Sequence, residues 1–350
     1  MHVAGQSPFF KLLGKTWLEM SNMDRETTLE QCFQFWRQRG FPFDRLTDRQ
    51  MASDFVGVLC TNTSGLWTHN GLGASTAGLR LANSFHPEMW SVRCKRAHSP
   101  AERFYCDIAL RRVLRRALTV WPDRYSVNPT NLRSMLRTFS KTTRVSNFRP
   151  VIAKAVIERY SRKGQAVLDF SSGYSGRLLG CAALDRSYLG IDPDTNQVRN
   201  SRKLLATLRN VMSLTRNHTI ESGCAEDLLP SLKRSSYDLI FSSPPYFNLE
   251  RYSEEPTQSY IRYPRYRLWK EHFLERTLVA SARLLRDGGY LVINVANSGG
   301  YPIADDCLTI GRQILKHVAT HSILLARKPY LKSDSNDRYK AEPLFVFRKI

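Results

Sequence analysis

Residues Tyr237–Ser253 read YDLIFSSPPYFNLERYS. The apolar run Leu239-Ile240-Phe241 delivers the chain into Ser242-Ser243-Pro244-Pro245-Tyr246, the pattern of a buried strand that stops abruptly. Proline fixes φ and donates no backbone hydrogen bond, so a tandem pair holds a short segment rigid and leaves carbonyls free to accept from elsewhere. A substrate is one such donor. In isolation, a rigid strand-ending turn without chemistry reads the same way.

Outward from this stretch, everything after about Ser140 alternates short strands with helices. AVLDF, SYLGID, YDLIFS and GYLVINVA are strand-like, and a further strand is expected around His218 to Ser222. RPVIAKAVIERYS, NQVRNSRKLLATLRNVMSL and FLERTLVASARLLRDGG are helix-like. Such alternation predicts an α/β fold with a mostly parallel sheet and ligands at the carboxyl ends of the strands. The first 145 residues read differently, as mainly helical and aromatic-rich: TLEQCFQFWRQRG, DRQMASDFVGVLC and PAERFYCDIALRRVLRRALTVW. A Gly/Ser/Thr/Asn-rich loop, TNTSGLWTHNGLGASTAG, interrupts them. We therefore expect two domains, residues 1–145 and 146–350.

The strand AVLDF leads into SSGYSGRLLG, which places Asp169, Ser171, Gly173, Ser175 and Gly176 on a strand-to-helix turn. Small residues let backbone approach a ligand, and a following helix offers free N–H groups, although Gly173 and Gly176 equally suit a tight turn and a packing position. The next strand ends in Asp192, close to the spacing of roughly 20 residues that sets an acid opposite ribose hydroxyls. After the third strand come Glu226 and Asp227, which are ligand contacts or simply the acidic first turn of a helix.

In their order, a Gly turn, an acid after the second strand, acids after the third and SPPY after the fourth resemble the S-adenosylmethionine-dependent amino-methyltransferases of DNA. Ser243-Pro244-Pro245-Tyr246 matches that family's [DNS]-P-P-[YF] motif in full; the Gly turn matches loosely, with Ser at two small-residue positions. The resemblance spans roughly residues 146 to 350. It implies a Rossmann-like methyltransferase domain with S-adenosylmethionine as cofactor. Asp169, Ser171, Gly173, Gly176, Asp192, Glu226 and Asp227 are then cofactor contacts. SNFRPVIAKAVIERYS is similar to the family's preceding helix, which adds Phe148, Arg149 and Pro150.

The resemblance also implies the chemistry. An exocyclic amine is a poor nucleophile because its lone pair is conjugated into the base, so the site must accept hydrogen bonds from the NH2 and hold it in line with the methyl. Ser243 and the Pro244 carbonyl are the expected acceptors, Pro245 stiffens the turn, and Tyr246 stacks on an extruded base. Serine in the first motif position goes mostly with N4 of cytosine, so cytosine is expected. N6 of adenine, guanine N2 of tRNA and a catalytically silent nucleic-acid-binding subunit stay open.

Charge supports a polyanionic partner. The 350 residues carry 52 Lys+Arg against 31 Asp+Glu, a net +21. RYSEEPTQSYIRYPRYRLWKEHF interleaves Arg251, Arg262, Arg265 and Arg267 with Tyr252 and further aromatics, as an unstacked strand requires; the alternative is a loop whose rings pack back on the domain. ALRRVLRRAL sets Arg111, Arg112, Arg115 and Arg116 on one helical face, for phosphates or for solvent. His86, His98 and Trp90 receive no catalytic role. DNA with a flipped base is the expected partner, alongside a partner subunit or cognate restriction system for target recognition.

Seven cysteines, at 32, 60, 94, 106, 181, 224 and 307, show no CxxC or His-cluster spacing, so no metal site is expected. No apolar run approaches the roughly 18 to 20 residues of a membrane span, and MHVAGQSPFFKLLGKTW lacks a long apolar leader core. A reducing, cytoplasmic setting is expected.

Overall fold

The computed structural model describes residues 14–73, 75–94, 97–120, 126–139, 145–212, 214, 216–327 and 339–350. Most of the segment read for a leader, and boundary residues 140–144, lie outside the described residues. The chain forms two compact units, one of Met1–Arg45 with Pro87–Ser146, the other of Leu46–His86 with Asn147–Ile350. Where one break was expected, the segment Leu46–His86 therefore joins the second unit. Packing explains this. Phe55, Leu81 and Ala82 share a core with Ile152, Val156 and Leu178. The Lys154 ammonium donates to the Val58, Leu59 and Thr61 carbonyls at 2.7–3.1 Å, satisfying groups that the end of helix Asp48–Cys60 leaves open.

The first unit is helical, with helices Asn22–Arg39, Pro100–Tyr105, Asp107–Val120 and Pro129–Phe139. Ser99 and Glu102 form a reciprocal cap that starts the second, and the single helix expected over 100–121 breaks at Cys106. Leu29, Phe33, Trp36, Phe104, Leu110 and Leu114 are buried. Arg133 is buried too, and it ion-pairs with Asp44 at 2.6 Å.

The second unit is built on a mostly parallel sheet. Its strands are β1 (Ala166–Asp169), β2 (Ser187–Asp192), β3 (His218–Ser222), β4 (Tyr237–Ser242), β5 (Leu285–Asn294), β6 (Lys316–Arg327) and β7 (Tyr339–Arg348). Their order is 3-2-1-4-5-7-6, with β7 antiparallel to both neighbours, and the hairpin Trp67–Thr68/Gly71–Leu72 extends the β6 edge through Leu72 opposite Ile323. This is a Rossmann-like doubly wound α/β fold. Strand β6 was not anticipated, because KHVATHSILLAR alternates basic and polar residues with apolar ones too loosely to read as buried. The helices Pro150–Tyr160, Gly176–Ala182 and Thr195–Met212 link or flank β1 to β3. The chain runs outward from β1 to β3 and then returns to place β4 on the other side of β1, so the carboxyl ends of β1 and β4 adjoin at the switch point where such sheets bind ligands.

Candidate active site

Strand β1 ends in Asp169, which is fully buried. One carboxylate oxygen accepts from Ser242 Oγ at 2.8 Å and from the Ser171 amide at 3.2 Å; the other accepts from Arg177 Nε at 2.7 Å and the Tyr188 hydroxyl at 2.8 Å. The expected cofactor contact is thus occupied by its own chain. Asp169 and Arg177 are a buried ion pair that ties β1, β2 and β4 to the turn.

That turn is tightly specified. Gly173 lies at φ 54° and Ser175 at φ 65°, both left-handed. A Cβ on Gly176 would run into the Phe148 carbonyl oxygen, so of its two readings as ligand approach or packing position, packing is the one observed. Segment 147–150 lies directly against the turn: Asn147 Nδ2 donates to the Tyr174 carbonyl at 2.6 Å, and the Phe148 ring packs on Phe241 and beneath Arg177. Arg149 donates to the Leu324 carbonyl at 3.3 Å, and Pro150 opens its helix. Behind the turn is His86, to which the sequence assigned no catalytic role and which the structure buries. It is fully buried and bonds Ser175 Oγ through Nε2 at 2.8 Å, while Ser175 also reaches Ser201 at 2.7 Å.

Asp192, at the end of β2, accepts from the Gly173 amide at 2.8 Å and the Asp194 amide at 3.0 Å. Burial pushes its carboxyl up to about 7. Glu226 is buried and Asp227 exposed, both in the first turn of Ala225–Leu228. Arg262 reaches the two of them at 2.5 and 2.8 Å. Cys224, Glu226 and Asp227 bring one ligand atom each within 4.8 Å of the others, and the Arg262 guanidinium already pairs with both carboxylates.

On the far side of β1, Ser243 follows β4. Its hydroxyl donates to the Asn294 carbonyl at 2.8 Å, with Asn294 Oδ1 at 3.1 Å. Asn294 is nearly buried at the end of β5, and its Nδ2 donates to the Pro343 carbonyl of β7 at 3.0 Å. A serine hydroxyl has one proton; with that proton committed to Asn294, what Ser243 can offer a newcomer is lone pairs. Pro244 is buried and cannot donate, and Pro245 is half-buried. The half-buried Tyr246 has its phenol raised by burial and by Glu342, whose own carboxyl burial also raises. Phe247 then takes a left-handed φ of 53°, held among the rings of Tyr266, Trp269 and Tyr301 at centroid distances of 5.0–5.7 Å. Asn294 and Glu342 were missed because each lies far from the motif in sequence and carries no pattern of its own.

The aromatic, basic segment after the motif packs back on its own unit. Trp269 is buried and donates to Ser259 at 3.0 Å; Tyr266 donates to Asp306 at 2.6 Å and stacks on Tyr301 at 4.7 Å; the Tyr252 hydroxyl donates to Glu250. Trp269 is thus held inside the unit, while Tyr252 and Tyr266 are half-buried with their hydroxyls engaged. Arg251, Arg265 and Arg267 are all exposed, and Arg267 pairs with Glu271 at 2.8 Å. In the first unit, Arg111 and Arg115 pair with Glu30 and Glu26 at 3.0 and 2.6 Å, whereas Arg112 and Arg116 are exposed with no ion pair among the described residues.

Several polar atoms around the turn are buried without a protein partner among the described residues: Ser172 Oγ, Asn147 Oδ1 and Gln258 Nε2. A buried polar group without a partner is costly, and a polar ligand at the carboxyl edge of β1 to β3 would satisfy them. Together with the open, left-handed Gly173 and the carboxylate of Asp192, they fit a nucleoside-bearing cofactor. No described helix is long and apolar enough to cross a membrane.

No family model matches the chain, and no curated protein matches it. Among solved structures it is similar to TrmN from Thermus thermophilus, at 17% identity over 57% of this chain and 49% of that one, with a TM-score of 0.39. It is similar to a SAM-dependent O-methyltransferase from Thermotoga maritima, at 12% identity over 61% and 70% of the two chains and a TM-score of 0.39. A TehB-like SAM-dependent methyltransferase from Corynebacterium glutamicum gives 15% identity over 63% and 95%, with a TM-score of 0.38. The match spans about half the length of TrmN. The fold assignment stands on the strand order and register of the chain itself.

Proposed function

We propose that this chain is an S-adenosylmethionine-dependent DNA methyltransferase that modifies the exocyclic N4 amine of a cytosine turned out of the duplex. The observation that carries the reading is the orientation of Ser243. Its only proton points at Asn294, so its lone pairs, with the Pro244 carbonyl, accept the two N–H bonds of an amine. Accepting them eases the nitrogen lone pair out of conjugation and fixes its direction.

S-adenosylmethionine would supply an electrophilic methyl on a sulfonium. Residues of the Gly turn with Asn147, Ser172 and Asp192 would hold it, across the β1/β4 switch point from the motif. Tyr246 would stack on the extruded base, its ring fixed by the contact of its phenol with Glu342. The net charge of +21 favours a polyanionic substrate. With its cysteines free, the protein would act in the reducing cytoplasm.

The test is expression in a methylation-deficient bacterium, digestion of genomic DNA to nucleosides and mass spectrometry, with Ser243→Ala as control. N4-methylcytosine that disappears in the control is the expected result. N6-methyladenine would keep the enzyme and overturn the choice of base. Methylated RNA without methylated DNA would overturn the substrate.

A further inference from the structure

Residues 253–263, a few residues beyond SPPY, are strapped across the carboxyl ends of β2 and β3. The Glu255 carboxylate accepts from the Thr195 amide at 3.1 Å and its hydroxyl at 2.5 Å. Thr257 Oγ1 donates to the Pro193 carbonyl at 3.0 Å, and the Thr257 carbonyl lies 3.4 Å from Cys224 Sγ. Arg262 closes the other end on Glu226 and Asp227. The strap thus grips the residues that follow β2 and those that follow β3.

Between these anchors sits Gln258. Its side chain is only 5% exposed, and its Nε2 has no partner among the described residues. Its main chain is settled: the amide donates to the Glu255 carbonyl at 3.0 Å, and its carbonyl receives Ile261 and Arg262. Only the side-chain amide is left over. On the turn after β1, Ser172 is 3% exposed and its Oγ is equally unpartnered among the described residues. Two buried polar groups from separate stretches, both unsatisfied around the same strand ends, mark a ligand position.

Resting on the cofactor reading above, we propose that the strap is part of the cofactor site and that Gln258 Nε2 donates a hydrogen bond to an acceptor on the adenosine half. Glu226 and Asp227 then act through Arg262: they hold the strap down, and Gln258 makes the contact. The stretch that follows the chemistry of the target amine also closes the cofactor's side, so the two halves of the site share one segment.

Isothermal titration with S-adenosylhomocysteine tests this on the full chain, comparing the wild type with Gln258→Leu and Gln258→Glu and melting each protein without ligand. A Gln258→Leu protein that keeps or raises its unliganded Tm and binds about tenfold more weakly is the expected result, since losing one such hydrogen bond costs about that factor. Gln258→Glu, which loses the donor, should weaken similarly. Unchanged affinity in both variants would overturn the proposal while leaving the cofactor reading intact. Unchanged affinity with weaker binding of a single-stranded oligonucleotide would also overturn it, reassigning Gln258 to the substrate. A wild type that does not bind S-adenosylhomocysteine would overturn both readings.

Discussion

The two sides of the switch point use opposite chemistry. On the β1–β2–β3 side the conspicuous residues are acids, and each is engaged by its own chain. Asp169 takes Arg177, Tyr188 and Ser242; Asp192 takes two backbone amides; Glu226 takes Arg262. On the β4–β5–β7 side the central residue is a neutral serine whose proton is directed away by Asn294. Buried charge is so costly that acids near a ligand site first serve the scaffold, whereas a hydroxyl with a committed proton keeps its lone pairs available. The difference teaches that the acids serve the turn first and that a ligand meets mainly neutral polar groups.

The largest effect that could break this contrast concerns Asp169. Asp169→Ala strands the buried Arg177 guanidinium, and urea unfolding should show a loss of about 3–5 kcal/mol. A variant of normal stability that only lost cofactor affinity would move Asp169 from scaffold to ligand binding. On the other side, Asn294→Ala removes one acceptor of the Ser243 proton and the tie to Pro343. We expect kcat to fall about tenfold with S-adenosylhomocysteine affinity unchanged, and less than additive loss when combined with Ser243→Ala.

A subtler test uses pH. Burial holds the Asp192 carboxyl at about 7, well above its ordinary value of 3.8. Between these values the folded state keeps a proton that the unfolded chain has released, so the stability linked to this group is full below the lower value. It is lost as pH rises through about 7. Melting curves from about pH 4 to 8 should therefore show the wild type losing Tm relative to Asp192→Asn. Parallel curves would mean that the carboxylate is already charged at low pH.

The smallest expected effect lies in the first unit. Arg112→Ala with Arg116→Ala should weaken duplex binding and flatten its salt dependence, by about one unit of slope for each phosphate that an arginine no longer neutralises. The doubly paired Arg111 and Arg115, their charge balanced by Glu30 and Glu26, should matter less. Equal effects from the two pairs would show that the ion pairs open on binding.

What could be read from the sequence was local. The strands at Ser187–Asp192 and Tyr237–Ser242 and the helix Asp48–Cys60 follow from periodicity and caps within a few residues, and structure and reading agree there to the residue. The strand ending in SPPY also set that motif at the carboxyl edge, because proline acts on its own backbone. Strand β6 was not legible because its polar and basic residues break the alternation that marks a buried strand, and the membership of Leu46–His86 was not because it depends on packing against chain more than 70 residues away.

The sequence by itself determined the α/β alternation, the order of the motifs and the residue types at the strand ends. Only the tertiary structure decided which charges were already matched: Arg262 by Glu226, Arg111 by Glu30, Asp169 by Arg177. It also decided that Asn294 would orient Ser243 and that Gln258 Nε2 would be buried without a partner among the described residues. The reason is physical. Backbone conformation is set mainly by near neighbours, whereas the work a polar side chain can do depends on its partners, and those are chosen by folding.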